Sequence, residues 1–160
     1  MAYHGVELQN SITIEKIFSI HYFEYMSNFS FAGESHNFWE FICVDKGEVG
    51  VTRGKSYTIL KKGDLIFHKP NEFHDVKATG GIAPNLVVIS FECNDDAMYF
   101  FNDRLLQIDE TERNLLANII IEARRCFDCR LDDPYLQNMP LKDPDTFGAQ
   151  QMIKLYLEHF

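Results

Sequence analysis

Short runs of alternating hydrophobic and polar residues follow one another from residue 12 to residue 93. The runs are rich in Val, Ile, Phe and Tyr and are separated by turn residues at fairly even spacing, which is typical of an all-β barrel or sandwich. Glycine recurs where a hairpin tip needs a positive φ, as in Asp45-Lys46-Gly47 and Lys61-Lys62-Gly63. The pattern predicts eight strands, at residues 12–18, 20–26, 36–44, 48–53, 56–60, 64–68, 73–78 and 85–93.

The hydrophobic period changes after Asn94 to that of an α-helix. Asp109 and Glu112 have the spacing of a capping box, and apolar residues then recur every three or four positions. We therefore predict a helix over residues 109–128.

A second amphipathic helix is predicted from about Asp145 or Thr146 to Phe160. Residues 130–144 contain prolines and charges and are predicted to form a loop. The second helix stops at Phe160 without a capping glycine or a following proline, which indicates that the native chain continues.

Composition and charge narrow the classes of function. A chain of 160 residues with 46% hydrophobic and 14% aromatic content suits one domain with a β-rich core. The formal net charge of −9 and the lack of a recognition helix argue against DNA binding by this chain itself. No apolar run is long enough to span a bilayer. No secretory signal is recognisable, so the four cysteines are expected to be free thiols in the cytoplasm, and the Cys126/Cys129 pair lacks the second pair that a zinc site needs.

Residues 34–47, ESHNFWEFICVDKG, carry ionisable groups at strand-like spacing. A strand returns to the same face every second residue. We therefore predict that five residues share the inner face of a barrel: Glu34, His36, Phe38, Glu40 and Ile42. The spacing resembles the first cupin motif, in which two histidines and a glutamate face inward, although Glu34 replaces the first histidine.

Residues 63–74, GDLIFHKPNEFH, resemble the second cupin motif, with Gly63 and His74 eleven positions apart. His74 is therefore expected to face inward beside His36 and Glu40, whereas His68 is expected to point outward or to be structural.

The order and spacing of these motifs, followed by two helices, resemble the N-terminal sensor domain of bacterial AraC/XylS transcription regulators. The resemblance implies a mainly β fold: a cupin-like double-stranded β-helix (jelly-roll) barrel in residues 1–94, then two or three α-helices in residues 95–160 packed on the barrel as part of the same structural domain. It also implies a helix-turn-helix DNA-binding domain after residue 160.

The function implied by the resemblance is effector sensing and dimerisation without catalysis and without a cofactor. The effector would be a small organic molecule, and the acidic mouth favours a neutral or cationic one such as a sugar. The residues expected to bind it are Glu34, His36, Phe38, Glu40, Ile42 and His74.

A free-standing metal-dependent cupin enzyme, such as an isomerase, epimerase or dioxygenase, is the alternative, with His36, Glu40 and His74 as the metal ligands. A sugar-binding or storage cupin is a third. Bound metal is disfavoured because the histidine set is incomplete and because AraC-type sensors mostly recognise organic effectors without a metal.

Aromatic residues are expected to contribute to the pocket. Phe67, Phe73 and Phe91, together with Phe38 and Ile42, are candidates for the barrel lining. Trp39 alternates with inward positions, so it is expected outside the barrel, under the helices.

The first helix contains three consecutive isoleucines, residues 119–121, which is more than one buried stripe requires. We therefore predict an antiparallel homodimer through this helix. The predicted interface residues are Leu116, Ile119, Ile120 and Ala123.

Overall fold

The computed structural model describes residues 2–79, 81–142 and 146–160. The strands are β1 (Lys16–Glu24), β2 (Ser30–Glu34), β3 (Trp39–Lys46), β4 (Glu48–Arg53), β5 (Ser56–Lys61), β6 (Asp64–His68), β7 (His74–Ala78), β8 (Asn85–Glu92) and β9 (Leu105–Gln107). A 3₁₀ helix spans Asp96–Phe101, and the α-helices are α1 (Glu110–Cys126) and α2 (Ala149–His159).

The strands form two antiparallel sheets with the orders β1-β8-β3-β6-β9 and β2-β7-β4-β5. This confirms the predicted mainly β, cupin-like barrel followed by a pair of helices. The two strands predicted at residues 12–18 and 20–26 are one strand, β1, whose pairing with β8 is irregular between Ile17 and Ser19. The sequence did not predict β2, which lacks an apolar alternation, or the three-residue β9.

Sheet β1-β8-β3-β6-β9 lies between two hydrophobic cores, so its central strands are buried on both faces. Residues Ile42 and Val44 of β3 lie in the core between the two sheets. Trp39, Phe41 and Cys43 of the same strand lie in the core under the helices. Trp39 is therefore outside the barrel, as predicted.

Three of the expected lining residues are not in the barrel interior, which corrects the prediction. Phe67 and Phe91 belong to the core under the helices, because they share the parity of Phe41, with which both rings are in contact. Phe73 precedes β7 and is 44% exposed.

Helix α1 begins with the predicted capping box. The Asp109 side chain accepts a hydrogen bond from the backbone of Thr111, and the Glu112 side chain accepts one from the backbone N–H of Asp109. The helix ends at Cys126. Helix α2 begins at Ala149, after Gly148 in the left-handed conformation, and the predicted starting residue Asp145 lies outside the described residues.

Most of the apolar face of α1 is buried within the chain. Leu116, Ile119, Ile120 and Ala123 are at most 5% exposed and pack in the core between the helices and the sheet. Ile121 is 53% exposed. The barrel and α2 therefore already cover the four residues predicted for a dimer interface, and only the third isoleucine remains at the surface.

The segment between the helices, which we call the interhelix loop (residues 127–142), has its two ends side by side. The backbone N–H of Asp128 donates a 2.7 Å hydrogen bond to the carbonyl oxygen of Pro140, and the backbone N–H of Lys142 donates one of 2.9 Å to that of Cys126. Within the described residues, no helix is long and apolar enough to cross a membrane.

Candidate functional site

Strands from both sheets bring a group of ionisable side chains to one end of the barrel. In the strand register, Glu34 at the end of β2 is opposite His74 of β7. Glu40 of β3 is opposite His68 of β6 on one side and Ser90 of β8 on the other. Pairing between strands thus places residues that are distant in sequence within one cluster.

The strand predicted at residues 36–44 begins too early, because β3 begins only at Trp39. The inner face predicted from strand parity for Glu34, His36 and Glu40 is therefore not the face of one strand. Glu34 belongs to β2, in the opposite sheet, and reaches the cluster from there. His36 and Phe38 lie in the connection before β3.

Glu40 is the centre of the cluster and is almost fully buried. Its Oε2 accepts a 2.6 Å hydrogen bond from the hydroxyl of Ser90. Its Oε1 lies 3.2 Å from Nε2 of His74, and its Oε2 lies 3.6 Å from Nε2 of His36. Nε2 of His74 is also 4.0 Å from Oε1 of Glu34. Two carboxylates and two imidazoles therefore converge.

Backbone carbonyls fix the orientation of both imidazoles. Nδ1 of His36 is 3.0 Å from the carbonyl oxygen of Phe38, and Nδ1 of His74 is 3.0 Å from that of Glu72. A carbonyl oxygen can only accept, so Nδ1 carries the hydrogen in each ring and Nε2 faces the cluster. Neither Nε2 has a well-aligned hydrogen-bond partner among the described residues.

The cluster fixes the charge states of its members. Burial alone would raise the pKa of Glu40, but the imidazoles of His36 and His74 and the Ser90 hydroxyl hold this pKa well below its usual range. Burial opposes protonation of His74, yet the adjacent Glu40 carboxylate raises the pKa of that imidazole above its usual value. Glu40 and His74 therefore form a buried ion pair.

His68 is completely buried and faces this cluster, so the expectation that it points outward is wrong. Its ring stacks on that of His74, with centroids 4.2 Å apart and planes 13° apart. Burial, and next the charge on His74, lower the pKa of His68 to about 3. His68 is therefore neutral while its stacking partner is charged.

Three further polar residues of the site were not predicted. Ser19 and Ser90 are buried with their hydroxyl oxygens 2.9 Å apart. His21 of β1 is buried, and this burial lowers its pKa against the opposing effect of Glu40. The sequence contained two signals from which they could have been found. Ser90 interrupts the otherwise apolar run of residues 86–91, and His21 lies two positions from Ser19, on the same face of a strand.

A cavity of about 390 Å³ opens beside the cluster. Phe18, Phe38 and His36 form a stack on one wall, with centroids 3.9 Å apart in each pair. A smaller cavity of about 40 Å³ continues toward Ile42 and His74. The full lining of the larger cavity is Phe18, Ser19, His21, Phe31, Glu34, His36, Phe38, Glu40, Ser90, Pro134, Tyr135, Leu136 and Gln137.

Two other cavities of similar size lie outside the barrel. One, of about 410 Å³, runs along α2 beside residues 14–17. The other, of about 340 Å³, lies between α1 and the outer face of the sheet near Tyr22 and Val87. Neither contains a converging group of buried ionisable side chains. The chemistry therefore selects the barrel cavity as the candidate site.

Glu34, His36, Glu40 and His74 could also hold a metal ion, because one ligand atom from each lies within 4.8 Å of the others. The two Nε2 atoms fit this role, because both face the cluster without a well-aligned hydrogen bond. The raised pKa of His74 opposes it, because a metal must displace the proton from a ligating imidazole.

Comparison with known proteins identifies one matching family, described as AraC-like ligand binding domain, over residues 18–100. No curated protein matches the chain. Solved structures with a similar fold include a cupin 2 conserved barrel domain protein from Rhodopseudomonas palustris, which is 19% identical with a TM-score of 0.41, the match covering 64% of this chain and 63% of that one. The Cnp3 cupin domain of Schizosaccharomyces pombe is 14% identical with a TM-score of 0.41, over 55% of this chain and 69% of that one.

A predicted oxalate decarboxylase from Thermotoga maritima is 20% identical with a TM-score of 0.39, over 41% of this chain and 57% of that one. Another similar structure, a conserved protein of unknown function from Streptococcus pyogenes, is matched over 55% of its length. The chain thus spans little more than half the length of several of these proteins.

Proposed function

The chain belongs to the family of AraC-like ligand-binding domains, and on this basis we propose that it senses a small organic effector for a transcription regulator. The observation that carries the proposal is the 390 Å³ cavity at the end of the barrel, where Glu34, His36 and Glu40 line one side. The cavity is large enough for a small molecule and combines apolar walls with a few oriented polar groups. DNA binding would come from another part of the regulator, because this chain has a net charge of −9.

The polar groups of the cavity favour an effector that donates hydrogen bonds or carries positive charge. Glu40 is ionised and Glu34 is half exposed at the mouth. The stacked Phe18 and Phe38 rings offer an apolar surface on the same side. A neutral polyol such as a sugar, or an amine, satisfies both features, whereas an anion would face two carboxylates.

A binding screen tests the proposal. D-galactose, D-glucosamine and tyramine represent a polyol, an amino sugar and an aromatic amine, and benzoate represents an anion. We expect at least one of the first three to bind by isothermal titration calorimetry, and benzoate not to bind. Glu40→Gln should weaken the binding at least about tenfold, because an ionised acceptor is lost.

The matched control for this screen is Glu24→Gln, which removes an exposed carboxylate at the end of β1. The control should bind like the wild type. Binding that ignores Glu40 would show that the effector site lies elsewhere.

A metal-dependent cupin enzyme, such as an isomerase, epimerase or dioxygenase, is the second candidate function. It is favoured by the four ligand atoms that lie within 4.8 Å of one another. Titration with Mn²⁺, Ni²⁺ and Zn²⁺, compared between the wild type and His36→Gln, tests it. Tight binding that depends on His36 would support the metal site, and weak binding that the substitution leaves unchanged would contradict it.

We further propose that the regulator is a homodimer through the exposed side of α1. Leu116 and Ile120 are buried, so the accessible apolar residue is Ile121, at the edge of the 340 Å³ groove beside the sheet. Ile121→Glu should convert the dimer to a monomer by light scattering. Ile82→Glu, in the exposed connection before β8, should leave the dimer intact. A wild-type chain that is monomeric at high concentration would contradict a dimer formed by this chain alone.

A further inference from the structure

The interhelix loop forms one wall of the effector cavity, although it belongs to the helical part of the chain. Residues 134–137, which we call the loop tip, line the cavity together with Phe18, Ser19 and His21 of β1. Pro134 also borders the smaller inner cavity. The cavity is thus lined both by strands of the barrel and by a segment continuous with α1.

The loop is attached to the edge of the barrel just before the tip. β1 is an edge strand, and its Tyr22 amide donates a 2.8 Å hydrogen bond to the carbonyl oxygen of Leu131. The Leu131 side chain is buried in the core under the helices. The backbone of Asp133 lies against His21, where it opposes the lowering of the His21 pKa by burial.

The ends of the loop are attached to α1. The loop pairs with itself between Phe127 and Leu141, and the Lys142 ammonium donates a 3.0 Å hydrogen bond to the carbonyl oxygen of Arg124 in the last turn of α1. The loop is therefore connected to the end of α1 through hydrogen bonds at both of its ends. At the tip, the Tyr135 side chain is 70% exposed.

We propose that the loop tip is part of the effector site, with Tyr135 and Gln137 as specificity-determining residues. Binding of the effector in the cavity would then change the structure of α1 through the interhelix loop. This inference rests on the proposed effector-binding function. An effector that bridges Glu40 and the tip would hold the tip against the barrel. The bound state then differs from the free state in the position of the loop. The effector contacts the tip only in the bound position, and this difference in contacts is what allows a ligand to shift the equilibrium.

The experiment measures binding of D-galactose, D-glucosamine and tyramine to wild type and loop variants of the 160-residue chain. Tyr135→Ala and Gln137→Ala should each raise the Kd of the probe that binds, Tyr135→Ala by about tenfold, as expected when an aromatic contact is truncated. The control is Asp132→Ala, which removes an exposed ion pair with Arg130 in the same loop, away from the cavity. It should leave the Kd unchanged.

Hydrogen exchange followed by mass spectrometry tests the transmission to α1. With saturating probe, the wild type should exchange more slowly both in β1 and in the last two turns of α1. In Tyr135→Ala at saturation, the protection of β1 should remain and that of α1 should be lost.

Two results would overturn the inference. One is a Kd that Tyr135→Ala leaves unchanged, and the other is α1 protection that persists in this variant at saturation. If either is observed while Glu40→Gln still weakens binding, only the role of the loop is wrong. If none of the three probes binds the wild type, the proposed function fails at this cavity and the inference fails with it.

Discussion

The neutral imidazole of His68 should make the protein less stable in mild acid, and His68→Gln should remove this sensitivity. His68 is completely buried and stacks on the charged ring of His74. The pKa of His68 in the folded chain is about 3, against an ordinary value of 6.5. In the unfolded chain the same imidazole takes up a proton below about pH 6.5, so acid favours unfolding.

The magnitude follows from the difference between the two pKa values. The stabilisation by neutral His68 is complete above pH 6.5 and is lost as the pH falls toward 3. In the unfolded chain an imidazole of pKa 6.5 is already half protonated at pH 6.5, and each pH unit well below that value costs about 1.4 kcal/mol. The free energy of unfolding should therefore fall by about 2.3 kcal/mol between pH 6.5 and pH 4.5. The folded imidazole is still neutral at pH 4.5, because its pKa is about 3.

Urea unfolding at both pH values measures this loss. Trp39 is the single tryptophan and is 4% exposed in the core under the helices, so its fluorescence reports global unfolding. The wild type should lose about 2.3 kcal/mol more than His68→Gln over this interval. Contributions of Glu40 and His74 largely cancel in the comparison, because both proteins contain them.

The control for this measurement is His4→Gln, at an exposed histidine near the N-terminus, which should follow the wild-type pH profile. If His68→Gln lost stability in parallel with the wild type, to within about 0.5 kcal/mol, the account of His68 as a buried neutral imidazole would be refuted.

Three further substitutions test the fold around the site by urea unfolding. Asp109→Ala should cost about 1 kcal/mol, because it removes the capping box of α1, and no loss would show that the cap does not stabilise the chain. Ile119→Ala should cost about 2–5 kcal/mol, whereas Ile121→Ala should stay within about 0.5 kcal/mol, and equal effects would contradict the burial of one and the exposure of the other. Gly33→Ala should destabilise the chain by more than about 1 kcal/mol, because φ is +95° and a Cβ would stand 2.7 Å from a backbone oxygen of β7. The same variant should weaken probe binding by displacing Glu34, and normal binding would show that Glu34 is not needed.

Strand parity was the strongest guide to the site. The two-residue period correctly placed Glu40 inward and Trp39 outward, and the resemblance to the second cupin motif correctly brought His74 to the same cluster. These predictions succeeded because one face of β3 carries a charge that only a polar cluster can accommodate.

Parity failed where both faces of a strand are buried. All five residues of β6 are buried, so its sequence shows no alternation from which the direction of His68 could be read. Glu34 was grouped with the residues of β3 by parity because nothing in residues 34–40 marks the turn between β2 and β3. The loop tip could not be predicted at all, because its place depends on a contact between Tyr22 and Leu131, which are far apart in sequence.

The double-sided β3 has an evolutionary consequence. Glu40 and Ile42 face the barrel interior, whereas Trp39 and Phe41 face the helices, so neighbouring residues lie in two separate environments. Substitutions at the inward positions can change which molecule is recognised while the helical packing stays intact. Substitutions at the outward positions can change how the helices pack on the sheet without altering recognition. A lineage could therefore change the molecule that the cavity recognises while keeping the packing of the helices, one residue away on the same strand.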